Sequence, residues 1–239
     1  MSIKRLTSLS ILAAIASGAA ATAAADRHIG IDAVDGRLTT FNYQSGVGYL
    51  NTQRVFTNIF DADLFFTDDN GTNMPGGTLA TPGAVGFNIL GSLLVWDSGL
   101  QNFVSTDHTI NISAGPASVD TADGFVAGFG TNVRDEISHP DNSAQWGRHH
   151  THFGYTLNGP EGTPSDGIYL LNLEWWYEAG DGNPVSYDTS LPFWTVFGLN
   201  VDDTDLLNTA QWVRDNVVPA PGAAAILGLA ALAGVRRRR

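Results

Sequence analysis

The segment Trp146-Gly147-Arg148-His149-His150-Thr151-His152-Phe153-Gly154-Tyr155-Thr156-Leu157 holds three of the chain's six histidines within four residues. On an extended strand successive side chains alternate, so His150 and His152 project from one face while His149, Phe153, Tyr155 and Leu157 project from the other. The apolar trio marks the core side. Two imidazoles at i and i+2 stand close enough to converge on one ion at about 2.0–2.1 Å per Zn–N bond, and neutral imidazole is the commonest metal ligand. Zinc needs at least three protein ligands. Without a third, this is a half-exposed strand whose histidines face water.

Glu174 is one further candidate ligand: it shares a strand face with Asn172 and Trp176 and would reach an ion if that face adjoined His150, although exposed strand carboxylates are common. His149, inside the cluster, is another. His139 precedes Pro140 and reads as a turn residue, while His108 opens a strand. The segment Asp68-Asp69-Asn70-Gly71 has the composition of a calcium loop, but the register that makes Asp68 and Asn70 third and fifth ligands puts Phe66 first and Gly77 at the bidentate-acid position. It reads first as a solvated turn, with a nonstandard calcium site among the acidic loops as the alternative. No Gly-x-Ser-x-Gly elbow, phosphate-cradling Gly-Lys-Ser/Thr or His-Glu-x-x-His helix is present, which argues against the enzyme classes built on them. Cupins also carry a His-x-His strand, followed after three or four residues by Glu. Here the first acid beyond His152 is Glu161, in a Gly/Pro loop, a departure from that pattern.

The elements that must position these residues are short. Strand-period segments run from 28 to 34, 37 to 43, 63 to 67, 85 to 90, 93 to 96, 108 to 113, 124 to 129, 149 to 157, 168 to 177 and 193 to 201. Turn signals separate them, among them Asp35-Gly36, Asp69-Asn70-Gly71, Pro75-Gly76-Gly77 and Gly115-Pro116. Residues 67–83 form the main glycine-rich loop, and residues 131–145 a polar one that leads into the histidines. One helix is expected from about Thr204 to Asp215, capped by Asp202 or Asp203, with Leu206, Leu207, Ala210 and Val213 on one face. The fold class is therefore all-β, an antiparallel β-sandwich, jelly-roll-like, with one short C-terminal helix. Trp175, Trp176, Tyr177 and Trp194 serve as a core layer or, alternatively, as an aromatic platform for sugars.

Composition narrows the function classes. The 239-residue chain has 12 Lys+Arg and 24 Asp+Glu, a net charge of −12. Residues 26 to 218 hold all 24 acids but only six arginines, a net charge of −18 for the body. Such a surface repels phosphate backbones and excludes nucleic acid as a partner. Without cysteine, disulfide and thiolate chemistry is also excluded. A body of this size buries roughly 70% of the surface of its unfolded chain and needs no covalent staple.

Both ends read as targeting helices outside the sandwich. Residues 1–25 have Lys4 and Arg5, an apolar stretch, then Ala23-Ala24-Ala25, the order of a signal peptide. Residues 218–239, VPAPGAAAILGLAALAGVRRRR, pair a Pro-rich motif with the apolar run 223–235 and Arg236, Arg237, Arg238 and Arg239. Thirteen helical residues span about 20 Å, short of the roughly 30 Å hydrocarbon core, so the segment is a transient membrane insertion held at the cytoplasmic face by its arginines.

That tail resembles the PEP-CTERM sorting signal of Gram-negative bacteria, with Pro219, Ala220, Pro221 and Gly222 as the sorting motif and Ala220 where glutamate is usual. The resemblance implies export, cleavage by an exosortase after handling by the export machinery, and a mature protein of residues 26–217 at the cell surface, outer envelope or extracellular matrix, alongside exopolysaccharide.

The body has its own resemblance. The stretch Asp26-Arg27-His28-Ile29-Gly30-Ile31-Asp32, the pair Gly86-Phe87-Asn88 and Leu94-Val95-Trp96-Asp97, and His150-x-His152-Phe153-x-Tyr155-x-Leu157 leading to Gly167-Ile168-Tyr169-x-Leu171 are similar to the choice-of-anchor M type of bacterial surface domains. Tyr155 stands where tryptophan is usual, and residues 158–166 replace a tight Pro-Gly turn. Some members are linked to zinc regulation, which implies zinc as cofactor. The resemblance implies His28, His150 and His152 as ligands. The expected function is a non-enzymatic surface domain that binds zinc. A structural or carbohydrate-binding matrix component and a metal-dependent enzyme are the alternatives.

Overall fold

The computed structural model describes residues 27–219. The expected signal peptide, and the sorting tail from Ala220 onward, lie outside the described residues. Along the chain the strands are β1 (Arg27–Val34), β2 (Arg37–Gln44), β3 (Gly48–Thr52), β4 (Val55–Ile59), β5 (Phe66–Thr67), β6 (Thr72–Asn73), β7 (Gly83–Ile89) and β8 (Leu94–Asp97). They continue as β9 (Asn102–Ser105), β10 (Thr109–Ala114), β11 (Ala117–Asp120), β12 (Val126–Asn132), β13 (His150–Thr151), β14 (Gly154–Asn158), β15 (Gly167–Ala179) and β16 (Phe193–Leu199). Helix α1 (Asp203–Asn216) follows. The fold is an all-β sandwich with one helix, as the strand periodicity predicts.

The strands form three sheets, ordered β13-β6-β1-β2-β3, β11-β10-β14-β5, and β12-β7-β15-β16-β4 with β8 and β9 attached to β15. Two pairings depart from the expected antiparallel pattern: β1 runs parallel to β6, and β16 parallel to β4. The β1–β2 hairpin turns at Asp35 and Gly36, with φ of 51° and 79°. Two positive φ values in succession match the right-handed strand twist of a two-residue turn, which is why Asp-Gly signals it.

β16 is buried at every position because it is covered on both faces. Phe193, Phe197 and Leu199 enter the main core, while Trp194 and Val196 face a second apolar cluster with Leu206, Ala210 and Val213 of α1. The helix starts where Asp202 accepts a hydrogen bond from Thr204 N at 2.7 Å, satisfying one of the free N–H groups of the first turn.

Aromatic rings hold the sandwich faces together. Trp175 is fully buried, with ring centroids 5.2 Å from Phe193, 5.9 Å from Phe153 and 6.3 Å from Phe87. Trp176 lies over Gly86 and Gly130, positions where a Cβ would collide with its indole, and its Nε1 donates to Phe87 O at 3.1 Å. Tyr177 donates to Ala80 O. The run Trp175-Trp176-Tyr177 thus serves the packing of the sandwich itself.

The expected single strand over 149–157 is two. β13 belongs to the first sheet and β14 to the second, and the chain crosses between them at His152 and Phe153. Phe153 is fully buried. Its burial is worth roughly 2–3 kcal/mol, more than the ladder hydrogen bond, about 1 kcal/mol, that a continuous strand would add there.

Candidate metal centre

His28 enters the site from the first residues of β1, and His150 and His152 from β13 and the crossing that follows it. The two parts of the chain do not pair directly. Strand β6, two residues long, lies between them: Ile29 is opposite Thr72 and Gly30 opposite Asn73 on one side, while Thr151 is opposite Thr72 and His150 opposite Asn73 on the other. Directly opposed residues share a sheet face, so Ile29, Thr72 and Thr151 form an inward row. The alternate rows, His28–Gly71–His152 and Gly30–Asn73–His150, face the other way.

Gly71 sits between the two histidines of its row. A Cβ there would lie 2.7 Å from Thr151 O and 3.2 Å from both His152 Cα and His28 Cδ2. A side chain would fill the gap across which the imidazoles meet. Glycine is required at this position by close approach, not by an unusual φ.

The three rings form a triangle. Their centroids are separated by 5.1 Å for His28 and His150, 5.0 Å for His28 and His152, and 5.1 Å for His150 and His152. One nitrogen from each lies within 4.8 Å of the others, and this is the only group of three or more potential ligands among the described residues. His28 Nε2 and His152 Nε2 are 3.3 Å apart. Two ligands about 2.0–2.1 Å from a tetrahedral zinc lie about 3.3 Å from each other, so this edge already has the separation an ion requires. Bringing the third nitrogen to the same separation takes at most about 1.5 Å, a side-chain rotation.

The site is graded in exposure: His28 is buried, His150 half-buried and His152 exposed. His152 Nδ1 lies 3.2 Å from the carbonyl oxygen of Asp68 and 3.8 Å from its carboxylate. Only a protonated Nδ1 can bond that carbonyl, and in the neutral ring this tautomer keeps the lone pair on Nε2, the nitrogen nearest His28. A carbonyl or carboxylate on the distal nitrogen is the usual way a metal-binding imidazole is oriented. His150 Nδ1 is buried without a hydrogen-bond partner. Burial pushes the His150 pKa down to about 4, with further lowering from His28, His152, Arg148 and Arg134. At neutral pH its ring is uncharged, as a ligand must be.

The remaining predicted residues are placed elsewhere. His149 faces the inward row, fully buried, with Nδ1 2.7 Å from Thr72 Oγ1 and Nε2 2.6 Å from Thr131 Oγ1. Both its nitrogens are engaged, so it fixes the chain behind the cluster rather than joining it. Glu174 lies on β15 in another sheet, where its Oε1 accepts from Asn88 Nδ2 at 3.0 Å. His108 bonds Thr106 Oγ1 and accepts from Ser165 N, and His139 contacts Ser138 Oγ. Pro219 is exposed. Ala220, Pro221, Gly222 and Arg236 to Arg239 lie outside the described residues.

Three contributors were not predicted: Asp68, Gly71 and β6. The turn Asp68-Asp69-Asn70-Gly71 was visible as chemistry, but its use is through a backbone carbonyl and an absent side chain. Neither leaves a ligand signature in sequence.

Comparison with known proteins finds no matching family model, no similar curated protein and no similar solved structure. The site's own geometry therefore carries the functional argument: this is an all-β sandwich in which three histidines from distant parts of the chain stand close enough to hold a metal ion.

Proposed function

We propose that the chain is an exported surface domain that binds zinc, without catalysing a reaction, through His28, His150 and His152. The observation that carries the reading is the 3.3 Å approach of His28 Nε2 to His152 Nε2, made by residues 124 positions apart on either side of a glycine that no side chain could replace without displacing them. Three neutral imidazoles suit zinc or another borderline divalent metal better than calcium or magnesium, which take oxygen ligands. The acidic body raises the local concentration of any divalent cation. The signal peptide and sorting tail support export, exosortase processing and residence in the envelope or matrix. No helix among the described residues is long and apolar enough to cross a membrane.

Zinc at this site would be held by His28, His150 and His152, with a fourth position left for water. The chain's own residues do the rest: Asp68 orients His152, Gly71 admits the two rings, and His149 with Thr72 and Thr131 holds the strand behind them. Titration of the metal-free, untagged chain with zinc should show one site, and His150→Ala/His152→Ala should abolish it while circular dichroism stays unchanged. Unchanged zinc affinity in that double variant would place the site elsewhere.

A further inference from the structure

Arg134 and Arg148 stand together beside the histidine cluster. Arg134 Nη1 donates to Gln145 Oε1 at 2.5 Å and Arg148 Nη1 donates to the same oxygen at 2.9 Å, so the two guanidinium groups approach within about 5 Å through one shared acceptor. Arg148 Nη2 reaches Asn73 Oδ1 at 3.4 Å. Asn73 is the residue directly opposite His150, which puts the Arg148 guanidinium on the flank of the candidate metal centre.

Among the described residues no carboxylate lies within 4 Å of either guanidinium. The arginine paired with a carboxylate within 4 Å is Arg37, with Asp188. Arg148 Nε is buried and meets no acceptor. Gln145 offers a neutral oxygen where a body with 24 acids has placed no carboxylate. Two other arginines, Arg54 and Arg214, have no carboxylate within 4 Å, and each stands alone. Arg54 stacks on Trp194 and donates to Pro192 O, and Arg214 bonds Gln211 and Val55 O. Only here do two like charges converge on one neutral atom, an arrangement that repels itself and repels a cation at His150 until an anion joins it. Planar guanidinium forks present the donors that oxyanions accept in pairs.

We propose that Arg134 and Arg148 bind a small oxyanion beside the metal held by His28, His150 and His152, so that metal and anion are taken up together. The coupling between the two rests on the metal reading; the anion site rests on the arginines alone. Gln145 positions the two guanidiniums, and the ligand class is a compact, multiply charged oxyanion such as sulfate or phosphate.

The test is calorimetric titration of the full chain, untagged and at low salt, with sulfate, in zinc-loaded and chelator-treated forms. Sulfate should bind both forms, about tenfold more tightly when zinc is present, a coupling of ordinary size for adjacent sites. Arg134→Gln/Arg148→Gln should weaken sulfate binding at least tenfold in both forms while retaining one zinc. Sulfate binding unaltered in that variant overturns the anion site. Equal affinity with and without zinc overturns the coupling. A chain that binds no zinc at all defeats the metal reading, and the chelator-treated titration still decides the arginine pair. Should the double variant not fold, guanidinium labelling of the unsubstituted chain by phenylglyoxal gives the same answer. Sulfate should protect Arg134 and Arg148 but not Arg37, and equal labelling with and without sulfate refutes the proposal.

Discussion

Acidification should destabilise the sandwich through His149, whether or not metal is bound. Its ring is fully buried between Thr72 and Thr131, and burial foremost, followed by the nearby His150, lowers its pKa from 6.5 to about 4. In the unfolded chain the same ring titrates near 6.5. Above that value it is neutral in both states and contributes no pH dependence. As pH falls from about 6.5 to about 4, the unfolded state takes up a proton that the folded state refuses, so stability is lost across that window and no further below it. A shift of about 2.5 units corresponds to about 3 kcal/mol, a large share of the roughly 5–15 kcal/mol of a typical domain. With a urea slope of about 2 kcal/mol per molar, the unfolding midpoint should move down by about 1.5 M. The assay is urea unfolding of the chelator-treated chain by tryptophan fluorescence at intervals from pH 7.5 to 4, beside His149→Gln. The glutamine keeps a donor and an acceptor for the two threonines but cannot titrate. It should be less stable at pH 7, by roughly 1–3 kcal/mol for the altered packing, and the gap should close as pH falls. His150 titrates in both proteins, so the difference between the two profiles isolates His149 together with its coupling to His150. Parallel pH profiles for the two proteins would refute the assignment of this proton to His149.

Two further substitutions probe the support of the metal centre. Gly71→Ala forces a methyl against Thr151 O, His152 and His28, and should cost roughly 1–3 kcal/mol of stability as overpacking together with at least tenfold in zinc affinity; urea unfolding and zinc titration that both match the unsubstituted chain would show that the row has room to spare. Asp68→Ala removes the carboxylate 3.8 Å from His152 Nδ1 but keeps the carbonyl bond, so zinc affinity should fall about tenfold with little change in stability, as read by the same two measurements.

What the sequence made legible was whatever periodicity or turn chemistry encodes. Alternation assigned Phe153, Tyr155 and Leu157 to the core and His150 to the opposite face, and each of the three apolar residues is buried. Asp35-Gly36 marked a hairpin, and Asp202 with Leu206, Ala210 and Val213 marked the helix, but Leu207, expected on the same face, is exposed and Thr209 is buried in its stead. The meeting of His28 with His150 and His152 followed from the resemblance, and the structure brings them together. The connecting piece was not legible. A strand of two residues, β6, lies inside a glycine-rich loop and is too short to show any period, yet it fixes the register between β1 and β13. Its parallel pairing with β1, like that of β16 with β4, is set by contacts between distant segments. The break at His152–Phe153 was hidden because alternation continues through it while the sheet changes. Arg134 and Gln145 fell in residues 131–145, which read only as a polar loop, and Arg148, beside the histidines, was given no role.

The most direct test of the central claim is the coordination sphere itself. X-ray absorption spectroscopy of the chain loaded with one equivalent of zinc should show nitrogen or oxygen neighbours at about 2.0–2.1 Å and outer-shell scattering from three imidazole rings, falling to one ring or a lost site in His150→Ala/His152→Ala. A sphere of light-atom neighbours with no imidazole scattering, or three rings that persist in the double variant, would contradict a metal centre built from His28, His150 and His152.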